Sequence, residues 1–317
     1  MPLWTLAPII IAAVILTLFI FAIICDVIAF GKRCDKNPKL KYFSAQDFNL
    51  TAREIQTGRL KGFAYSAENC EKQDEIIIFL HGMGPGHIAH VTEIAYFCKL
   101  GYTVIAMDSL GCNHSSGKSI KGMYEGVNSA VQTYDFAKRN YPDCKIYFVG
   151  HSWGGYSALC ASALRKVEKV VAISAPVTPV KTVYGAAKKI IGKPFAAILC
   201  PFWYLINFFK FGAKGNANSV KAIAKSGAQT LLVHGDIDEV VPAFNAAYYG
   251  GNGENVSKLL VEGRAHNPYN TPAAERELAR LLALLRAGKP VDDINFSAAT
   301  EEDAEVMQKI AKFLLKK

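Results

Sequence analysis

The sequence predicts an α/β fold, with a mostly parallel central sheet and helices on both faces. Three observations carry this. Short apolar runs rich in β-forming residues alternate with longer helix-forming stretches over most of the 317 residues. Several of those runs are apolar without a break, as strands buried on both faces must be. One strand-like run leads through a glycine-rich turn directly into a helix-forming stretch. The length suits one large domain with a well-buried core, and neither an internal repeat nor a second domain boundary is visible.

The elements follow in order. Residues 48–55 and 60–65 read as two strands of an antiparallel edge. Glu75-Ile76-Ile77-Ile78-Phe79-Leu80 is the first buried strand and Thr103-Val104-Ile105-Ala106-Met107 the second. Lys145-Ile146-Tyr147-Phe148-Val149 is the third, and residues 170–174, 230–234 and 258–261 complete the series. Helices are expected over residues 124–140 and 156–167. Thr300-Glu301-Glu302-Asp303 opens a last amphipathic helix with an acidic first turn and Lys316-Lys317 at its end. An extra helix spans about residues 272–287, with no evident purpose.

Gly150-His151-Ser152-Trp153-Gly154 reads G-x-S-x-G between a strand and a helix, the setting in which the pattern marks a nucleophile elbow. The serine of such a turn is strained, and a side chain two positions away would strike the neighbouring strand or helix. A structural glycine-rich turn is the bland alternative. A serine hydroxyl needs a base to take its proton. His266 follows the last strand, in a loop, where such a base belongs; the other histidines sit in the elbow, in a strand or in early loops. The imidazole in turn needs a carboxylate. Asp238 is the choice and Asp236 the second, both after the strand ending at His234, although an acidic cluster there can also be a turn or cap. Developing negative charge on an attacked carbonyl calls for backbone N–H donors. Trp153, directly after the serine, supplies one. Met83, in His81-Gly82-Met83-Gly84-Pro85-Gly86, supplies the other.

Taken together these segments resemble the α/β-hydrolase superfamily, and within it the serine-aminopeptidase, monoacylglycerol-lipase and esterase group. The resemblance rests on strand-His-Gly-x-Gly, Asp108-Ser109-Leu110-Gly111 with Ser115-Ser116-Gly117, Gly-His-Ser-Trp-Gly-Gly, His-Gly-Asp-x-Asp-x-Val-Val-Pro and a late Gly-x-x-His. It covers about residues 60–315 in order. It implies the α/β-hydrolase fold, the chain order Ser152, Asp238, His266, and two-step acyl transfer through an acyl-serine. One departure is visible: many relatives have Gly-His-Gly-x-Ser where this chain has Gly111-Cys112-Asn113-His114-Ser115, with Asn113 replacing the second glycine. Asparagine is the next most tolerant residue for a left-handed backbone.

Outside this domain (residues 42–317), the N-terminus stands apart. Residues 3–24 carry no charge, and 22 such residues can cross a hydrocarbon core about 30 Å thick. A cleaved signal peptide fits poorly, since no Lys or Arg precedes the run and no A-x-A-like site closes it. Residues 1–30 are therefore read as a transmembrane anchor and 31–41 as a basic linker. The linker's charges, Lys32, Arg33, Lys36, Lys39 and Lys41, place the domain on the cytoplasmic side. The eight cysteines are scattered without a C-x-x-C pair, as free thiols are. Four N-x-S/T tripeptides, at Asn49, Asn113, Asn255 and Asn295, would matter only in a secretory lumen.

About residues 176–228 form an insertion where the superfamily carries its lid. It holds eight lysines and no acid, and so accounts for most of the net charge of +9. Its middle is apolar, from Phe195 to Phe211. It reads either as a lid helix with solvated lysines over a greasy pocket or as a segment lying on an anionic leaflet. The reading is a membrane-anchored serine hydrolase acting on carboxylic esters, lipid-derived or monoacyl. An aminopeptidase, amidase or thioesterase of the same fold is the enzymatic rival, and a non-catalytic binding scaffold the other. No cofactor is implied, no metal cluster has ligand spacing in the sequence, and no nucleic-acid motif accompanies the positive charge.

Overall fold

The computed structural model describes residues 3–68, 70 and 72–316; residues 1 and 2 of the N-terminal segment and Lys317 lie outside the described residues. Among the described residues, eight strands form one sheet in the order β1-β2-β4-β3-β5-β6-β7-β8. They are β1 (Leu50–Thr57), β2 (Leu60–Ala67), β3 (Lys72–Leu80), β4 (Tyr102–Met107), β5 (Lys145–His151), β6 (Lys169–Ile173), β7 (Gln229–Gly235) and β8 (Val256–Val261). β2 pairs antiparallel with β1 and β4; every other neighbouring pair is parallel. The antiparallel edge expected at the start of the domain is therefore present, and the strands run two residues or fewer beyond most of their sequence limits.

The helices are α1 (Leu3–Phe30), α2 (Val91–Lys99), α3 (Tyr124–Asn140), α4 (Trp153–Ser162), α5 (Pro179–Ile191), α6 (Lys193–Phe211), α7 (Ser219–Ser226), α8 (Ala247–Gly250), α9 (Pro272–Arg286), α10 (Phe296–Ala299) and α11 (Ala304–Leu315). Alternation along the strands splits the core in two. Ile76, Ile78, Phe148 and Val170 face α3, α4 and α7 through Val127, Leu159 and Ile223. Ile77, Phe79, Val149 and Val171 face α2 and α11 through Ile94, Phe97 and Ile310. This is the α/β-hydrolase fold, with helices on both faces. Strand order explains where its site lies: β3 is inserted between β4 and β5, and ligand crevices form beyond the carboxyl ends of strands where such an order reverses.

α11 starts with Asp303 as its N-cap, accepting from the Glu305 and Val306 N–H groups at 3.0 and 3.2 Å. α4 begins at Trp153, three residues earlier than the sequence suggests, because the elbow itself is its first turn. α1 and the inserted helix α6 pack on each other. The Phe19 and Phe202 rings lie 6.0 Å apart, the Trp203 indole N–H donates to Ala22 O at 3.2 Å, and Asp26 pairs with Lys210. α9, α10 and the segment joining them build a small apolar cluster of Leu281, Val291 and Ile294 against Leu40 of the linker, separate from the two main cores.

Candidate active site

The elbow is set by close packing. Ser152 has φ 55° and ψ −116°, a strained backbone for a residue with a side chain. Gly154 and Gly150 allow it. A Cβ on Gly154 would lie 1.8 Å from Leu80 O, and one on Gly150 would lie 2.3 Å from Gly154 O. Both contacts are with backbone, so neither can relax without moving β3 or α4. The Ser152 N–H donates to Ile173 O at 2.8 Å, tying the turn to β6.

The loop after β3 comes alongside the serine. A Cβ added to Gly82 would sit 3.5 Å from Ser152 Cβ. Met83 lines the same cavity as Ser152, and Trp153 is the first residue of α4, whose leading N–H groups have no partner within the helix. The loop is held from behind. Ser109 N–H donates to His81 Nε2 at 2.9 Å, which leaves the proton on Nδ1, 2.7 Å from Gly82 O. Burial lowers the His81 pKa to about 4, in keeping with a neutral ring. Asp108, at the end of β4, accepts from the His87 N–H at 2.8 Å and pairs with the His87 and His114 rings at 2.8 Å each. Burial opposes its ionisation, yet the two histidines hold its pKa far below the ordinary carboxylate value. Asn113 takes φ 32°, the left-handed turn expected where relatives place glycine.

His87, Asp108 and His114 also correct the expectation that no group has metal-ligand spacing. Three donor atoms lie within 4.8 Å of one another, although 27 positions separate the outer two residues. The hydrogen bonds already satisfy those atoms among themselves. Their evident role is to clamp the loop after β3 to the loop after β4. Asp108→Ala is accordingly expected to cost about 3 kcal/mol or more of unfolding free energy, the range for breaking a buried ion pair. Urea denaturation measures it, and a loss under about 1 kcal/mol would show that the clamp contributes little.

The structure brings Asp238 and His266 together. Asp238 Oδ2 lies 2.9 Å from His266 Nδ1, while its Oδ1 accepts the Val240 and Val241 N–H groups at 2.8 and 2.9 Å. Burial raises the Asp238 pKa, but the His266 hydrogen bond and charge and the Val241 N–H outweigh it, and the net shift is downward. Asp236, the second choice, is exposed. Ser152 and His266 line one cavity of about 300 Å³ with Gly82, Met83, Gly84 and Tyr269.

Three supports of the His266 loop were missed in the sequence. His266 O accepts from Ser174 Oγ at 2.9 Å and from His151 Nε2 at 3.0 Å. Burial, then the neighbouring His266, lowers the His151 pKa to about 3. Glu275 of α9 accepts the Ala265 N–H at 2.8 Å, giving the extra helix a purpose. No local pattern announces these partners; a residue type cannot reveal a contact made across 90 or more positions, as between Ser174 and His266.

The roof of the cavity differs from expectation. Its walls beyond the loop after β3 are Asn267, Tyr269, Asn270 and Leu278 with Ala299 and Thr300. None of its lining residues comes from residues 176–228; Leu278 of α9 and Ala299 of α10 line it instead. Glu93 also reaches the cavity, but its carboxylate is engaged by His90 Nδ1 at 2.9 Å and Thr92 Oγ1 at 2.6 Å.

A family model described as the alpha/beta hydrolase fold matches residues 75–198. The chain is 31% identical over 93 residues to monoglyceride lipase of Mus musculus, covering 28% of this chain and 30% of that protein. It is 31% identical over 99 residues to the 2-hydroxy-6-oxononadienedioate/2-hydroxy-6-oxononatrienedioate hydrolase of Escherichia coli O81 (strain ED1a), covering 29% and 32%. The match thus spans about a third of the length of these curated relatives. Among solved structures, the Pyrococcus furiosus esterase Pf2001 superposes with a TM-score of 0.57 at 19% identity, covering 81% of this chain and 98% of that one. A serine hydrolase from Cycloclasticus zankles gives 0.50 at 18%, covering 77% and 100%. At these identities the structures bear on the fold alone.

Proposed function

We propose, on the α/β-hydrolase fold and the family match across residues 75–198, that this chain is a serine hydrolase of carboxylic esters. The observation that carries the proposal is the convergence of Ser152, the Asp238–His266 pair and the Gly82–Met83 loop on one cavity. His266 Nδ1, facing Asp238, carries its proton; Nε2 is then the base that takes the Ser152 proton as Oγ attacks the ester carbonyl. The Met83 and Trp153 N–H groups hold the oxyanion. His266 returns the proton to the leaving alcohol, and water attacks the acyl-serine by the same route in reverse.

The acyl side is proposed to run from Ser152 toward the linker. A second cavity of about 150 Å³ shares Ala89, Thr92, Leu278, Ala299 and Thr300 with the first. Leu40, Phe43, Ile88, Leu281 and Phe296 make its far end apolar. A monoacyl chain fits that chemistry, and the lipase resemblance agrees with it. Leu281→Trp should fill this end and lower the ratio of decanoate to acetate ester kcat/KM by about tenfold or more, with the acetate still turned over. An unchanged ratio would place the chain elsewhere.

The membrane is the proposed setting. α1 over Leu6–Phe30 and the stretch Lys193–Ser226 are both long and apolar enough to cross a bilayer, by length and composition. We read α1 as the single-pass anchor, with the catalytic domain on the cytoplasmic side of its basic linker, residues 31–41. α6, packed on α1, presents Phe195 and Phe209, 65% and 74% exposed, in a segment that has eight lysines and no acidic residue of its own. A helix of this kind suits the interface of an anionic leaflet better than water.

A fluorophosphonate probe, with p-nitrophenyl esters of rising chain length and aminoacyl-naphthylamides as a substrate panel, tests the function. Labelling of the full chain and turnover of the esters are expected. A folded protein that the probe ignores would point to a non-catalytic scaffold. Preference for the naphthylamides would point to an aminopeptidase or amidase of the same fold.

A further inference from the structure

The linker that follows α1 does not simply connect. Residues 33–34 are laid along the loop after β4 as a short parallel bridge, in which Cys34 is opposite Cys112. The pairing is held on both sides: Cys34 N–H donates to Gly111 O at 2.9 Å, and Asn113 N–H donates to Cys34 O at 3.1 Å. Arg33 adds a clasp, its guanidinium donating to Ser115 O at 3.1 Å and Asn113 O at 2.8 Å. Residues opposed across a bridge have Cα atoms roughly 5 Å apart, inside the span a disulfide closes. Across this bridge each thiol is the leading influence on the other's pKa, and the Gly84 N–H of the loop beside Ser152 adds to the lowering at Cys34.

The two cysteines are unequal. Cys112 is fully buried, whereas Cys34 is only half-buried. Hydrogen bonding to Cys112 is the largest influence lowering the Cys34 pKa, while the same bond, with burial, raises that of Cys112. Cys98, Cys144 and Cys160 are buried.

We propose that Cys34 and Cys112 are a reversible redox pair, oxidised by a hydroperoxide to a disulfide that staples the linker to the loop after β4. The Cys34 thiolate attacks the distal peroxide oxygen. The O–O bond breaks, the electron pair leaves with the second oxygen as water or alcohol after protonation, and Cys34 becomes a sulfenic acid. The Cys112 sulfur then attacks the Cys34 sulfur. The S–O bond breaks, and the hydroxyl leaves as water with the Cys112 proton. Two thiols are oxidised by two electrons and one peroxide is reduced. A dithiol reverses the change by exchange at either sulfur. The staple would act on the loop that carries Asp108, which is clamped through His87 to the loop beside Ser152, so the oxidation state of the linker is coupled to the site.

The test reads the thiols, and so stands whether or not Ser152 hydrolyses an ester. The full chain, reduced and in detergent, is treated with hydrogen peroxide, alkylated with N-ethylmaleimide in denaturant, digested and mapped by mass spectrometry. Cys34 and Cys112 should be the first cysteines to escape alkylation, should appear in one cross-linked peptide pair, and should return to thiols with dithiothreitol. Cys112→Ser should instead accumulate a dimedone-reactive sulfenic acid at Cys34. The proposal is overturned if both cysteines stay alkylated after Cys70 has been oxidised. It is equally overturned if Cys34 pairs with another cysteine, or if wild-type Cys34 accumulates the dimedone adduct as Cys112→Ser does.

Discussion

Ser152→Ala is expected to lower kcat for p-nitrophenyl ester hydrolysis by on the order of 10⁴- to 10⁶-fold, the loss found when a catalytic serine is removed from a triad acting as a unit. Fluorophosphonate labelling should vanish with it. The variant should fold: alanine keeps the backbone and packing of the elbow, and the Ser152 N–H bond to Ile173 O at 2.8 Å does not involve the side chain. A change in unfolding free energy within about 1 kcal/mol would confirm that the loss is chemical. Turnover persisting within about tenfold of wild type would move the nucleophile away from the elbow.

Asp238→Asn should be nearly as severe, on the order of 10⁴-fold in kcat at neutral pH. Asp238 Oδ2 faces His266 Nδ1 at 2.9 Å, and Oδ1 is occupied by two backbone N–H groups. An amide satisfies those N–H groups only with its oxygen, which turns its NH₂ toward the imidazole. The ring then holds its proton on Nε2, where the Ser152 proton has to go. The carboxyl also sets an acid limit. Its folded pKa is below the ordinary value, so its contribution to stability is present above about pH 4, the unfolded value, and is lost as the pH falls through the folded one. The wild type should therefore lose stability below about pH 4 more steeply than the Asn variant. Parallel acid-unfolding curves would contradict the pairing, and a variant retaining more than about a tenth of wild-type kcat would remove Asp238 from the mechanism.

Much of the site is legible along the chain because its parts are local. The turn at Ser152 needs small residues two positions to either side, and Gly150 and Gly154 supply them. The unbroken apolar run of β3 announces a strand covered on both faces, and the glycines after it announce a loop that must approach another backbone. His266 and Asp238 were placed by the loops they occupy after late strands. The left-handed turn at Asn113 was also readable, since few side chains tolerate it.

Other features appear only when distant segments meet. The position of β3 between β4 and β5 decides that the Gly82–Met83 loop lies beside Ser152, and no residue in either strand states that neighbour. His87 and Asp108 meet across 21 positions, Glu275 and Ala265 across 10, and Cys34 meets Cys112 through a bridge between a linker and a loop. The greasy, acid-free insertion resembled a cover for the site, because apolar composition says that a surface must be buried or wetted by lipid but not against what. Packing chose α1 as the partner of α6, and left α9 and α10 to wall the cavity. Periodicity, turn chemistry and strain act within a few residues and so determined the elements, the elbow and the choice of Ser152, Asp238 and His266. Strand order, the roof over the serine and the cysteine pair depend on which surfaces bury each other best, which is a property of the whole chain and was decided only in the tertiary structure.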